Sequence, residues 1–121
     1  MSNLHRIYRY KFYLDANHAV VFNDKLGEMH PHTWEFLVEL ERLEDGDVIL
    51  FTDIENIINK ILLPYQNKVI NSVYPFDKEN PTTEVIGEYF YSLVEYKMES
   101  LGWKLLRMEI SESPNRTYIL K

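Results

Sequence analysis

Two runs of strict alternation constrain this chain more than anything else in it. From Ile7 to Ala16, the residues Tyr8, Tyr10, Phe12, Leu14 and Ala16 share one parity, while Arg9, Lys11 and Asp15 hold the other. From Thr33 to Leu43, Trp34, Phe36, Val38 and Leu40 stand opposite Glu35, Glu39 and Glu41. A period of two is the signature of a strand with one face buried and the other in water. Joined through a polar loop around Asn23-Asp24-Lys25, the two runs predict an antiparallel pair whose apolar face needs a second layer to cover it.

The middle of the chain supplies that cover. Thr52-Asp53-Ile54-Glu55 offers a capping hydroxyl with a glutamate three positions on, so a helix is expected to start there. Its apolar residues Ile54, Ile57, Ile58, Ile61 and Leu62 recur at helical spacing, and Pro64 ends it. Pro81-Thr82-Thr83-Glu84 opens a second helix with Ile86, Tyr89, Phe90, Leu93 and Leu101 on one face and Gly102 as its stop. Thr82 and Thr83 are best explained as caps of this helix. Two further strands follow, Lys104 to Glu112 with Leu106, Met108 and Ile110 on one parity, and Thr117 to Leu120 after the turn Ser113-Pro114-Asn115. The order ββααββ predicts an α+β fold: a four-stranded antiparallel sheet with both helices on one face. With 121 residues there is enough chain for one core and too little for two, so residues 1–121 are expected to form a single domain. A sheet covered on one side leaves a face and two edges to dispose of, which favours a homo-oligomer.

The net charge of -6 and the absence of any basic cluster argue against nucleic acid as a partner, although a local positive pocket could still take a small anion. The chain has no cysteine, which excludes disulfides, thiolate nucleophiles and sulfur ligands and leaves nitrogen and oxygen as metal donors. No apolar stretch reaches the length of a membrane span and the first residues lack a signal-peptide core, so the expected location is the cytoplasm.

Within GEMHPHTWEF, His30 and His32 lie two apart at the start of the second alternating run. In a strand such residues point the same way, about 6.6 Å apart, and can lean onto one ion. A catalytic zinc site needs a third ligand. His18, at the end of the first run, would be brought beside them by an antiparallel partner. His5 lies near the terminus and is left out. On the residues alone, ordinary surface histidines remain an alternative. Glu112 shares the parity of Met108 and Ile110, so its carboxylate either meets a partner or marks a solvated strand end.

Four stretches carry a resemblance. FYLDANHAVV is similar to an F-x-x-A-A-H stretch, KLGEMHPH to K-C-G-x-L-H-G-H, DVILFTDI to G-x-V-x-D-F, and NPTTE to N-P-T-x-E. All four belong to the 6-pyruvoyl-tetrahydropterin synthase and 6-carboxy-tetrahydropterin synthase family, and the likeness runs over nearly the whole chain. It implies the tunnelling fold (T-fold), the same ββααββ unit, with trimers whose sheets close into a β-barrel, paired into hexamers, and ligand sites at subunit boundaries. It also implies zinc held by His18, His30 and His32, and a pterin or purine-like ring anchored by Glu112 through a two-pronged hydrogen bond.

The resemblance fails where the family handles protons. Its cysteine falls on Leu26, and its Asp-His pair, in L-D-H-x-x-L-N, falls on Gln66 and Asn67 of YQNKVIN. None of these titrates near neutrality, so the usual acid–base route has no agent. Pro31 replaces the glycine between the two histidines, which fixes φ and removes an N–H. Glu28, two residues before His30, is the remaining candidate base. Three functions compete: a zinc-dependent lyase acting on a dihydropterin triphosphate, a non-catalytic module binding a pterin or purine, and a structural paralogue that keeps only the fold.

Overall fold

A computed structural model describes residues 4–121. Strand β1 (Ile7–His18) runs antiparallel to β4 (His30–Arg42), in unbroken register from Ile7 opposite Glu41 to His18 opposite His30. Between them lies a small hairpin, β2 (Val21–Phe22) and β3 (Lys25–Leu26). Its two linking residues, Asn23 and Asp24, both have positive φ, 51° and 62°. That is the backbone of a two-residue type I′ turn, for which Asn and Asp are suited. The polar loop expected here is thus a pair of short strands.

Strands β5 (Trp103–Ser113) and β6 (Arg116–Leu120) complete a four-stranded antiparallel sheet in the order β1-β4-β5-β6. Helices α1 (Phe51–Leu62) and α2 (Thr83–Glu99) cover one face. Tyr10, Phe12, Leu14 and Ala16 of β1 and Trp34, Phe36, Val38 and Leu40 of β4 are buried beneath them, as the alternation requires. The fold is the α+β arrangement read from the sequence. Among the described residues, no helix is long and apolar enough to cross a membrane.

Three details differ from expectation, each for a physical reason. Leu106 is only half-buried; Trp103 and Leu105 fill the core instead. The β4–β5 register shifts between Glu39 and Leu40, and the bulge moves the buried parity of β5 from odd to even before Met108 and Ile110. Helix α1 begins one residue before Thr52, with Leu50 at the cap and no side-chain cap bond. Phe51 is drawn into the helix by its ring contacts with Tyr8 and Tyr10, at 5.4 and 5.7 Å between centroids. The inner face of α2 is Ile86, Gly87, Phe90, Val94 and Met98, whereas Leu101 lies beyond the helix end. Gly87 is at this interface because α2 lies close on β5: a Cβ there would meet Ile110 Cγ2 at 2.8 Å.

Candidate metal centre

The register of the first two long strands creates the site. His18 ends β1 directly opposite His30, which begins β4, and His32 faces Ala16, a side chain small enough to leave its ring room. All three imidazoles project from the helix-covered face. Their centroids lie 4.5, 4.6 and 5.1 Å apart, and one nitrogen from each falls within 4.8 Å of the others.

The orientation of two rings is fixed from behind. His18 Nδ1 lies 2.8 Å from the Pro81 carbonyl, and His30 Nδ1 lies 2.9 Å from the Glu28 carbonyl. A carbonyl only accepts, so each Nδ1 carries a proton, and in the neutral ring Nε2 presents a lone pair. The two Nε2 atoms face each other at 3.0 Å. Two bare lone pairs at that distance repel, and the contact is stable only with a proton or a cation between them. Burial opposes the proton. His18 is 2% exposed and its pKa is lowered, chiefly by burial and further by the neighbouring His30 and His32, against the Pro81 hydrogen bond and Glu112, which raise it. Nitrogen donors on a tetrahedral zinc lie about 3.3 Å apart, close to the His18–His30 spacing, and the three imidazoles together could hold such an ion. Zinc bound there would act as a Lewis acid on ligand oxygens.

Pro31 does not disturb this arrangement. The Asn17 N–H points away from β4, to the Lys68 carbonyl, so the Asn17–Pro31 pair exchanges no ladder bonds. The N–H that proline lacks would face the β5 side, where pairing begins only at Glu35.

A profile of the 6-pyruvoyl tetrahydropterin synthase family matches residues 5–121. The chain belongs to this family. No curated protein is matched at the sequence level. The fold is shared with 6-pyruvoyl tetrahydropterin synthase of Caenorhabditis elegans, at a TM-score of 0.76 and 16% identity over 96% of this chain and 94% of that one. The Plasmodium vivax synthase aligns at a TM-score of 0.66 and 15% identity, covering 95% and 97%. An uncharacterized Wolinella succinogenes protein aligns at 0.63 and 16%, covering 95% and 98%.

Glu112, near the end of β5, stands beside the histidine cluster. Its Oε2 accepts a hydrogen bond from the Thr83 hydroxyl at 2.8 Å and lies 3.6 Å from His32 Nε2. The His32 pKa is lowered by burial, an effect Glu112 opposes. The carboxylate borders two hollows. One, of about 500 Å³, lies on the open sheet face beside Tyr13, Thr33 and Ser111. The other, of about 230 Å³, is lined by Thr83, Arg116 and Tyr118. Thr82 caps α2, its hydroxyl accepting from the Val85 N–H at 3.2 Å. Thr83 makes no such bond and reaches Glu112 instead.

The other candidates are placed apart from this cluster. Glu28 is exposed in the β3–β4 connection, and what it gives the cluster is its main-chain carbonyl. Leu26 is 66% exposed on β3. Gln66 and Asn67 lie along the open edge of β1. The Gln66 amide accepts from the Asp15 N–H at 3.0 Å and donates to the Tyr13 carbonyl at 2.8 Å, and the Asn67 N–H bonds the Asp15 carbonyl at 2.6 Å. Asn67 has φ 59°, a left-handed conformation that Asn tolerates. The sequence did not reveal the Pro81 and Glu28 carbonyls as parts of the site, because main-chain acceptors leave no mark in residue identity, and Trp34 reads there as an ordinary core residue of its strand.

Proposed function

We propose that this chain is a zinc-binding and pterin-binding member of the family in which the usual proton-handling route of the synthase is lost. The observation that carries the reading is the facing pair of Nε2 atoms on His18 and His30, 3.0 Å apart, with a nitrogen of His32 within 4.8 Å of them. Zinc would be held by these three histidines, and Glu112 would accept the amine and ring N–H of a pterin or a related purine-like ring. Leu26, Gln66 and Asn67 offer no titrating group for the chemistry that follows. Homo-oligomerisation into a trimer or hexamer is part of the proposal. The β1 edge from Tyr13 onward is occupied by residues 66–71, whereas Ile7 to Lys11 and the outer edge of β6 lack a strand partner among the described residues. Protein purified without an affinity tag is expected to hold one zinc per chain by elemental analysis, and to lose it in His18→Ala. Zinc far below one per chain after saturating incubation and desalting would refute the reading and leave the structural paralogue.

One observation favours a second reading, a zinc-dependent lyase. Two structures of the Plasmodium vivax synthase are variants of a glutamate described there as a catalytic residue, replaced by alanine and by cysteine. A glutamate can therefore serve in such a protein, and Glu28 is the candidate here, taking up a proton beside the metal. Zinc-loaded protein would then consume dihydroneopterin triphosphate, and Glu28→Gln would abolish turnover. Absence of turnover in the fully loaded protein rules the lyase out.

A further inference from the structure

We infer that Thr83 is a positioning residue for Glu112, held in turn by the indole of Trp34; the inference rests on Glu112 being the ring anchor. Trp34 Nε1 lies 3.3 Å from Thr83 Oγ1, and Thr83 Oγ1 lies 2.8 Å from Glu112 Oε2. The direction of this chain is set by its ends. An indole N–H can only donate and an ionised carboxylate can only accept, so the hydroxyl between them accepts from Trp34 and donates to Glu112. A hydroxyl proton normally rotates to suit its surroundings; this one has a single favourable orientation.

Both ends of the relay are anchored. Trp34 is fully buried, and its ring stands edge-on to His18 at 4.9 Å and to His32 at 5.2 Å, so the indole cannot turn without displacing those histidines. Thr83 is β-branched and sits in the first turn of α2, which restricts its side chain. Thr82 already caps that helix, so the Thr83 hydroxyl is free for this contact.

The relay also decides between two destinations for the carboxylate. Glu112 Oε2 is 3.6 Å from His32 Nε2, so without the Thr83 bond the charge would lean towards the metal histidines and away from the ring. Thr83 keeps the anchor from becoming a further metal ligand. The relay joins the strand floor, the helix start and the last turn of β5 into one polar unit between the metal position and the ring position.

The test uses the full-length, zinc-loaded protein and 2-amino-4-oxopteridine (pterin) as the probe, titrated by its fluorescence. Thr83→Val, which keeps the shape and removes the hydroxyl, is expected to weaken pterin binding by about ten- to a hundredfold, the range for losing a hydrogen bond to a charged group. Thr83→Ser restores binding to within a few-fold. Trp34→Phe, one step further back, gives a smaller loss than Thr83→Val. Zinc affinity, measured by competition with a chromophoric chelator, is not weakened in Thr83→Val, which separates positioning from general damage to the site. The inference is overturned if Thr83→Val binds pterin like the parent while Glu112→Gln does not, or if Thr83→Ser is as weak as Thr83→Val. If Glu112→Gln itself binds pterin like the parent, the ring-anchor reading fails and the positioning role falls with it.

Discussion

Gln66 stands where the sequence resemblance implies an acid, and replacing it with an acid of the same length tests what the amide does. In the parent, the Gln66 carboxamide lies flat against the β1 edge, accepting from Asp15 N–H at 3.0 Å and donating to the Tyr13 carbonyl at 2.8 Å. Gln66→Glu keeps the first bond and converts the second into two acceptors facing each other. One hydrogen bond is lost, and a negative charge is aimed at a carbonyl on a half-buried side chain, which together cost about 1.5 kcal/mol. With a urea m-value of about 1.5 kcal/mol/M, the unfolding midpoint drops by about 1 M at pH 7.5. The cost has a pH signature. A protonated carboxyl can donate to the Tyr13 carbonyl, so folding favours its neutral form and raises its pKa above the unfolded value of about 4.3. The destabilisation is therefore full above the raised pKa and fades as pH falls towards 4. The measurement is the difference in urea midpoint between parent and variant at both pH values. Equal midpoints at pH 7.5, or a gap that stays open at pH 4, would show that the amide is not a clamp.

Other perturbations have equally direct readouts. The Tyr10 hydroxyl is buried with no hydrogen-bond partner, so Tyr10→Phe is expected to raise stability by about 1 kcal/mol in urea unfolding. Burial, aided by Glu55 and Tyr8, pushes the Tyr10 pKa up to about 12. Folding favours the neutral phenol, so its contribution is present below about pH 10 and is lost as pH rises towards the folded value, a slope that Tyr10→Phe should remove. Thr82→Ala removes the α2 cap and should cost about 1 kcal/mol, read by thermal unfolding. Gly87→Ala places a methyl 2.8 Å from Ile110 Cγ2 and should cost about 2 kcal/mol by overpacking; an unchanged melting temperature would mean that α2 can shift off β5.

What the sequence made legible follows the range of the interaction. The alternation in residues 7–16 and 33–43 needs no partner to be recognised, and both strands lie where that period put them. By parity with Met108, Leu106 belongs in the core, and the bulge that reverses the parity exists only in the pairing with β4. The start of α1 was placed by Thr52, a local signal overridden by Phe51 packing on β1. The histidine cluster was legible only in part: HxH and His18 sit at strand ends whose register brings them together, but the pattern alone left ordinary surface histidines open and the family resemblance decided between them. Glu112 stood out as a charge on an apolar parity. Its partner Thr83 did not, since a threonine in a first helical turn is already explained as a cap.

The roles of Gln66 and Asn67 were hidden for a stronger reason, and it bears on what this chain can do. Nothing in YQNKVIN states that it will run beside β1, yet it closes that edge with main-chain bonds and amide side chains. Gln66 bridges Tyr13 and Asp15, Asn67 N–H meets Asp15, Asn17 N–H meets Lys68, and the Asn71 amide bridges the N–H and carbonyl of Ala19. Asn80 makes the same bridge to Val21. His18 therefore sits between two clamped residues, Asn17 and Ala19, and its Nδ1 is held by the Pro81 carbonyl. A proton carrier at position 66 has to change charge and partner during a reaction, and a side chain committed to two main-chain bonds does neither without releasing β1. An acid–base group at position 66 would thus loosen the strand end that aims His18, the most buried histidine of the cluster. The Gln66 amide and the aim of His18 form one device, so if the three histidines hold zinc as proposed, exchanging that amide for a titrating group should weaken zinc binding before it yields any turnover.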